Sequence, residues 1–425
     1  MNTQIETRHR WLPLLLTGLL LVTAGCGEIF SVETEGDPNE IGADEEFTLE
    51  QTLVGATAKL FQAYDLKIVW AGLLGDEFVS SGTAPGIQEW DRRAVDSDCC
   101  GGVDRTASIG SPNYVPMQQA SKLADIAQER MAAGEFSRLP SPVEDTPEFA
   151  RVSVYEGFAK IWLADLFCSL AFDGTGPELS TQEVYGLAED EFTKAIQAAD
   201  AASSIRQAAL VGRARARLYQ GQDQGALSDA QAVDPGFEFF AEYSTNSFSE
   251  ENMVHFRTWE FGNWSVAPVF RDLTIDDTGS PDPRVDLVLD PRPAFEPSQP
   301  LYAPVKAETR SSPIRIASGD EAQYVIAEIE GGQTAVDIIN EVRARNGITT
   351  EWQPAGGDPN EIRDKVIDER RRTLFLEGVR LGDLRRYIDK FGLDFFPTTT
   401  PQGFPVEDQT CIPLPDIERN NNPDL

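Results

Sequence analysis

The side chains that could do chemistry are concentrated in one stretch near the C-terminus, ERRRTLFLEGVRLGDLRR at residues 369–386. Half of its residues are charged, both signs occur, and an apolar triplet lies in the middle. It contains no cysteine or histidine, the usual ligands of a transition metal. Charges are tolerated inside a protein only when they are paired. We therefore predict an internal ion-pair network that fixes how the C-terminal helices cross the rest of the fold, formed by Glu369, Arg370, Glu377, Arg380 and Asp383.

Outside this stretch, the sequence offers no pattern of a catalytic or metal site. Only two histidines occur, His9 and His255, and His9 lies in a segment that we expect to be removed. A histidine relay or a histidine metal cluster is therefore not supported. The cysteines show no CxxC spacing, which argues against zinc. We predict that the protein is not an enzyme and has no catalytic residue, cofactor or metal.

The charge balance restricts the partners. Lysine and arginine total 36 against 70 aspartate and glutamate residues, which gives a net charge of -34. A field of this sign repels nucleic acid and anionic lipid surfaces. We therefore predict no nucleic-acid partner and attribute the acidity to solubility in an exposed compartment.

The N-terminus has the features of an export signal. Two arginines precede the apolar run Trp11–Val22, which is shorter than the roughly 20 residues needed to span a bilayer. Small residues then lead to Cys26, and TAGC resembles a bacterial lipobox, although Thr23 stands where leucine is usual. The resemblance implies that residues 1–25 are removed and that acylated Cys26 anchors the chain to a membrane. An ordinary signal peptide with an incidental cysteine is the alternative.

The rest of the chain divides into a tether and one domain. Residues 26–46 are acidic and contain glycine and proline, as expected of a linker. In the domain, residues 47–425, apolar residues recur at helical spacing except in a proline-rich, aromatic-rich middle part. We predict a mainly α fold with helix pairs over 47–235, an irregular, loop-rich ligand-binding region over 236–313, and C-terminal helices and a tail over 314–425.

The clearest helix pair lies at residues 205–232. Small residues on its first helix, among them Gly212, would let a neighbouring helix approach closely, and Gly221 would end that helix. The spacing from Gly221 to Ala226 is that of a tetratricopeptide turn, although no regular repeat period recurs. Thr181 is expected to be the N-cap of the helix that starts there and precedes this pair. We therefore predict a tetratricopeptide-like scaffold of helix pairs.

Four cysteines remain after the signal is removed: Cys99, Cys100, Cys168 and Cys411. An exported protein can form disulfides, and four cysteines allow three pairings among which the sequence does not choose. Because Cys99 and Cys100 are adjacent, we expect them to have different partners or to stay free.

The C-terminal motif resembles that of a known family. VIDERRRTLFLEGVRLGDLRRY resembles the signature of SusD/RagB outer-membrane nutrient-binding lipoproteins: Glu-Arg, an apolar pair, Glu-Gly-x-Arg, then Asp-Leu-x-Arg. The segments DPRVD, AVDIINEVRARNG and IPLPDIERNNNP also resemble this family in order and spacing. The matching signature residues are Glu369, Arg370, Leu374, Glu377, Gly378, Arg380, Asp383, Leu384 and Arg386.

This resemblance implies a lipid-anchored protein that faces outward from the outer membrane. It would capture oligosaccharides or peptides and deliver them to a TonB-dependent, SusC-like transporter. Two alternatives remain open: a helical-repeat scaffold that binds only protein partners, and a glycoside hydrolase with two carboxylates about 5–9 Å apart.

Ligand contacts in this family lie in variable loops, so the motif assigns none. Ten aromatic residues occur between Phe237 and Phe270. A flat aromatic ring matches the apolar face of a sugar ring, and an indole in a loop without helical or strand period is expected to be exposed. Core packing is the alternative for each tryptophan. The predicted ligand-binding residues are Trp90, Trp259 and Trp264, with Tyr243 and Asn263 beside them.

Overall fold

A computed structural model describes most of the chain, in the ranges 45–98, 114–200, 202–296, 299–356 and 358–425. The chain divides into two units, residues 1–48 and 49–425, and the fold below is that of the second unit. The predicted signal peptide lies outside the described residues, as do Cys26, Cys99 and Cys100.

Consecutive helices make up most of the N-terminal half. Helix α4 packs against α3 and α5, α6 packs against α5, and α7 packs against α6. From α3 to α7, each helix thus packs on its neighbours in sequence, which confirms the predicted tetratricopeptide-like, mainly helical fold. These helices are α1 Glu45–Leu74, α2 Pro85–Asp91, α3 Tyr114–Ala132, α4 Pro147–Leu166, α5 Thr181–Ala198, α6 Ser204–Tyr219 and α7 Asp223–Gln231.

One phenylalanine explains the close approach of three helices. The ring of Phe192 on α5 lies against Gly157 of α4 and Gly212 of α6. A Cβ atom at Gly157 would lie 2.7 Å from this ring, and one at Gly212 would lie closer still. Glycine is required at both positions because no side chain fits there. The close packing predicted at Gly212 is therefore confirmed.

The helix ends follow from the local sequence, but one predicted N-cap is wrong. The N-cap of α5 is Ser180 and not Thr181, since the Ser180 hydroxyl accepts a hydrogen bond from the Glu183 backbone N–H (3.3 Å). The Glu183 carboxylate in turn accepts from the Ser180 N–H (2.8 Å), which completes a capping box. Gly221, with φ of 73°, follows α6 as predicted.

The loop-rich region is built from short strands that the sequence did not predict. A short helix, α8 Met253–His255, continues there as a π-helix, Phe256–Glu260. Within the described residues, the strands form antiparallel pairs: β1 with β5, β2 with β3, β4 with β8 and β6 with β7. They are β1 Phe78–Ser80, β2 Ser169–Leu170, β3 Leu179–Ser180, β4 Glu238–Ala241, β5 Trp264–Val266, β6 Leu287–Asp290, β7 Leu301–Pro304 and β8 Ile314–Ser318.

The C-terminal helices pack back on the helix pairs. Helix α9 contacts α6 and α7, and α12 contacts α4 and α6. A disulfide between Cys168 and Cys411 ties the tail to the end of α4, and the Ile412 N–H donates to the Leu166 carbonyl there (2.8 Å). This bridge is one of those that the sequence left open. The helices are α9 Gly319–Glu330, α10 Gly332–Arg345, α11 Pro359–Thr373, α12 Arg380–Phe391 and α13 Asp416–Asn421.

Candidate functional site

Two of the three selected tryptophans lie in the core. Trp90 and Trp264 are 2% and 0% exposed, and both rings contact Trp70, with centroid distances of 4.9 and 5.1 Å. The Trp264 Nε1–H donates to the Val69 carbonyl (3.0 Å), which satisfies the indole inside the protein. The expectation that these indoles are exposed in loops is therefore wrong. Their role as ligand contacts stays a prediction, and their burial does not favour it.

The other three selected residues also have protein partners. Tyr243 is buried, and its hydroxyl donates to the Phe61 carbonyl (3.1 Å). Asn263 is buried too, and its backbone carbonyl accepts from the Ser81 N–H (3.1 Å). Trp259 is half-buried, and its Nε1–H donates to the Pro304 carbonyl (2.9 Å). Of the five selected residues, Trp259 therefore has the most accessible side chain.

Instead, the loop-rich region presents a cluster of phenylalanines at its surface. Phe261 stacks on Phe256 and on Phe295, with centroid distances of 5.5 and 4.9 Å and interplanar angles of 24° and 22°. Phe248 meets Phe256 edge to face at 5.2 Å. Phe261 and Phe295 are 44% and 52% exposed. These four residues are hereafter the phenylalanine stack.

Backbone geometry positions the stack. The π-helix places the Phe261 N–H on the Phe256 carbonyl (2.8 Å), a five-residue hydrogen bond that brings the two rings together on one side. Gly262, with φ of 66°, ends this segment. The residue after Phe295 is held by its own bond, since the Glu296 N–H donates to the Ser81 carbonyl (2.8 Å).

Charged side chains pin the π-helix beside the stack. Arg292 pairs with Asp290 (2.5 Å) and also donates to the Trp259 carbonyl. Arg310 donates from Nη2 to a Glu260 carboxylate oxygen (2.9 Å). The result is an exposed apolar surface with guanidinium and carboxylate groups next to it. Such a surface can stack against the C–H face of a sugar ring while neighbouring polar groups meet its hydroxyls.

The sequence contained a partial signal for the stack. Phe248, Phe256 and Phe261 belong to the aromatic-rich segment, but the choice of tryptophan passed over them. Phe295 lies outside that segment in PRPAFEPSQP, where flanking prolines indicate an irregular, accessible loop.

The C-terminal signature is buried and paired, but not as one network. Arg370 and Asp383 pair directly (2.7 Å), and Asp383 also pairs with Arg386 (2.9 Å). The other signature residues have partners from distant segments. These pairs are Glu369 with Arg284 (2.6 Å) and Arg343 (2.6 Å), Glu377 with Lys306 (2.5 Å) and Arg315 (2.8 Å), and Arg380 with Asp76 (2.6 Å).

The electrostatics of these pairs agree with a structural role. Burial alone would raise the pKa of Glu369, but Arg343, Arg284 and Lys365 lower it to about 2. Gly378, with φ of 66°, sits against Tyr64, so a larger residue would meet both strain and a ring. All the charged signature residues are buried, so they offer little surface to a ligand.

Comparison with known proteins relates the C-terminal part and the fold to one family. Residues 321–425 match the SusD family. A SusD-like carbohydrate binding protein from Bacteroides vulgatus shares the fold, with 15% identity, a TM-score of 0.65, and coverage of 89% of this chain and 97% of that one. A second SusD superfamily protein from the same organism has 14% identity, a TM-score of 0.69, and coverage of 89% and 97%.

A surface glycan-binding protein A from Bacteroides uniformis is also similar, with 15% identity, a TM-score of 0.66, and coverage of 89% of this chain and 98% of that one. No curated protein sequence matches the chain significantly. Residues 321–425 thus match the SusD family, as the C-terminal signature predicted, and the chain shares the fold of SusD-like proteins.

The family is associated with the cell surface or the outer membrane. Among the described residues, no helix is both long and apolar enough to cross a membrane, and no cluster of histidine, cysteine and carboxylate side chains could hold a metal ion.

Proposed function

We propose that this protein captures oligosaccharides at the outer surface of a cell and does so on the phenylalanine stack. The observation that carries the proposal is the exposure of stacked aromatic rings in the loop-rich part of a SusD-like fold. Monomeric proteins rarely expose such apolar clusters without a binding role.

Phe295 is the central contact in this proposal. One face of its ring lies on Phe261, so its 52% exposure comes from the opposite face and the edge. Phe261 lies between two rings and offers mainly its edge. A pyranose ring would therefore stack on the free face of Phe295, with Arg292 as the nearby source of hydrogen bonds.

The rest of the proposed role is transport. Acylated Cys26 would hold the protein at the outer membrane, and a TonB-dependent, SusC-like transporter would receive the ligand. Affinity purification from detergent-solubilised outer membranes is expected to recover that transporter with the protein. Recovery of the protein alone, with ligand binding intact, would remove the transporter from the proposal.

A direct test compares two exposed phenylalanines. A glycan array identifies a ligand, and calorimetry then measures its affinity for the parent protein, Phe295→Ala and Phe404→Ala. Loss of a stacking ring costs about 1–3 kcal/mol, which weakens binding roughly tenfold to hundredfold. Phe404 is equally exposed but has no ring contact with the stack, so its loss is expected to leave the affinity unchanged.

Other results would point elsewhere. Equal affinity of the parent and Phe295→Ala would remove the stack from the site. Retention of peptides and not glycans would keep the surface but change the ligand class. A protein that retains neither, yet binds the transporter tightly, would be the protein-only scaffold, and release of reducing ends would indicate a glycoside hydrolase.

A further inference from the structure

A cavity of about 900 Å³ lies among the helix pairs and shares no residue with the phenylalanine stack. Helices α3, α4 and α5, the loop between β2 and β3, and helix α13 contribute its lining. Its volume falls within the range of small-molecule sites, roughly 300–1,000 Å³. Part of its wall is apolar, formed by Val115, Phe172, Leu179, Leu187 and Ile417.

Two of the carboxylates that line the cavity, Glu156 and Glu191, are buried. Gln128 donates from one Nε2 to Glu156 (2.6 Å) and to Glu191 (2.9 Å). Lys160 pairs with Glu156 and lies 3.7 Å from Glu191, while the more exposed Lys194 pairs with Glu191 (2.8 Å). The two carboxylates thus share the buried ammonium group of Lys160, and Glu191 also has the more exposed Lys194. Burial, opposed by Lys160 and assisted by Glu191, raises the pKa of Glu156 to about 7.

The more accessible part of the lining is also acidic. Lys122 is shared by Asp125 (2.6 Å) and Asp173 (2.9 Å). Glu418 on α13 accepts a hydrogen bond from the Tyr114 hydroxyl (2.9 Å). With every group ionised, the lining carries five carboxylates and two lysines, a net charge of -3, and Lys194 pairs with Glu191 from outside the lining. A cavity with this charge favours a cation over an anion.

We propose that this cavity binds a small ligand that carries a protonated primary amine, with its ammonium group at Glu156 and Glu191. An ammonium group brings three donors and a positive charge, which the acidic lining favours. The body of the ligand packs against Phe172 and Leu187. A neutral ligand of the same shape gains no charge-assisted hydrogen bond there, so the amine decides the affinity.

Calorimetry with three probes tests this site: glucosamine, glucose as its uncharged match of nearly the same shape, and 1,5-diaminopentane. Glucosamine is expected to bind at least about tenfold more tightly than glucose, and Glu156→Gln to remove this difference. Tighter binding of glucosamine than of the diamine would identify the ligand class as amino sugars. Equal or tighter binding of the diamine would identify it as aliphatic amines. Either result supports the proposal.

The variants separate this site from the phenylalanine stack. Phe295→Ala is expected to bind glucosamine normally, and Glu156→Gln to bind the array-selected glycan normally. Glu418→Gln, at an accessible position, provides a second measurement if Glu156→Gln does not fold, and it too is expected to weaken amine binding. Absence of saturable amine binding, equal affinity for the two sugars, or unchanged affinity in both glutamine variants would overturn the proposal.

Discussion

Replacement of Arg380 by alanine is the sharpest test of the buried ion pairs. Arg380 begins α12 and holds Asp76 through two parallel hydrogen bonds, Nε to Oδ1 (2.7 Å) and Nη2 to Oδ2 (2.6 Å). Both residues are buried. Burial alone would lower the pKa of Arg380, but Asp76 outweighs it and raises that pKa, so the guanidinium is charged in the folded protein.

The expected loss of stability comes from the Asp76 carboxylate, which stays buried without its partner. Removing one partner of a buried ion pair strands the other charge, which costs about 3–5 kcal/mol. Asp76 and Arg380 also line a small pocket of about 340 Å³, through which water can reach the stranded carboxylate. We therefore expect the free energy of unfolding to fall by about 3 kcal/mol, the lower end of this range.

Equilibrium urea denaturation measures this loss, since urea does not screen charges as guanidinium does. The matched control is Arg419→Ala, which breaks the half-exposed pair with Glu178 (3.6 Å) and is expected to cost about 1 kcal/mol or less. Adding Asp76→Asn to Arg380→Ala is expected to recover part of the loss, because the neutral amide needs no counter-charge.

Two results would refute the reasoning. A loss in Arg380→Ala no larger than in Arg419→Ala would show that water already solvates the pair. A double variant as unstable as Arg380→Ala would show that lost packing, and not a stranded charge, destabilises the protein.

Three further predictions follow from burial and from the N-terminal motif. Trp264→Ala is expected to lower the free energy of unfolding by about 3–5 kcal/mol, so a melting curve like the parent's would contradict its place in the core. Burial raises the pKa of Glu77 from about 4.5 to about 7, so the folded state holds this proton more tightly than the unfolded state does. The stabilisation that this bound proton gives is complete below pH 4.5 and is lost as the pH rises through 7. Urea titrations should show the free energy of unfolding of the parent falling by roughly 3 kcal/mol relative to Glu77→Gln over this window. A constant difference between the two proteins would refute the shift. Cys26→Ala is expected to release the protein from membranes because the acyl anchor is lost, and a membrane fraction unchanged from the parent would contradict acylation.

The sequence by itself determined the helical scaffold and the resemblance of its C-terminal part to the SusD family. Apolar residues at helical spacing predicted the pair α6 and α7 and the C-terminal helices, because helix formation depends on near neighbours along the chain. Gly212 indicated a close helix contact, and Gly221 indicated the end of a helix, because both can be read from the residue type and its neighbours. The signature motif could be read because its residues are contiguous, and its charges required pairing wherever they were buried.

Only the tertiary structure decided which groups meet. Asp76 lies 304 residues from Arg380, and no local pattern links them. Strand β5 is three residues long, too short to show a period, and its pairing with β1 carries Trp264 into the core beside Trp70. Phe261, from a different loop, covers one face of the Phe295 ring, and the rest of that side chain stays exposed. Burial of a ring depends on segments far away in the chain, so the folded structure, and not the residue type, determines which aromatic residues can meet a ligand.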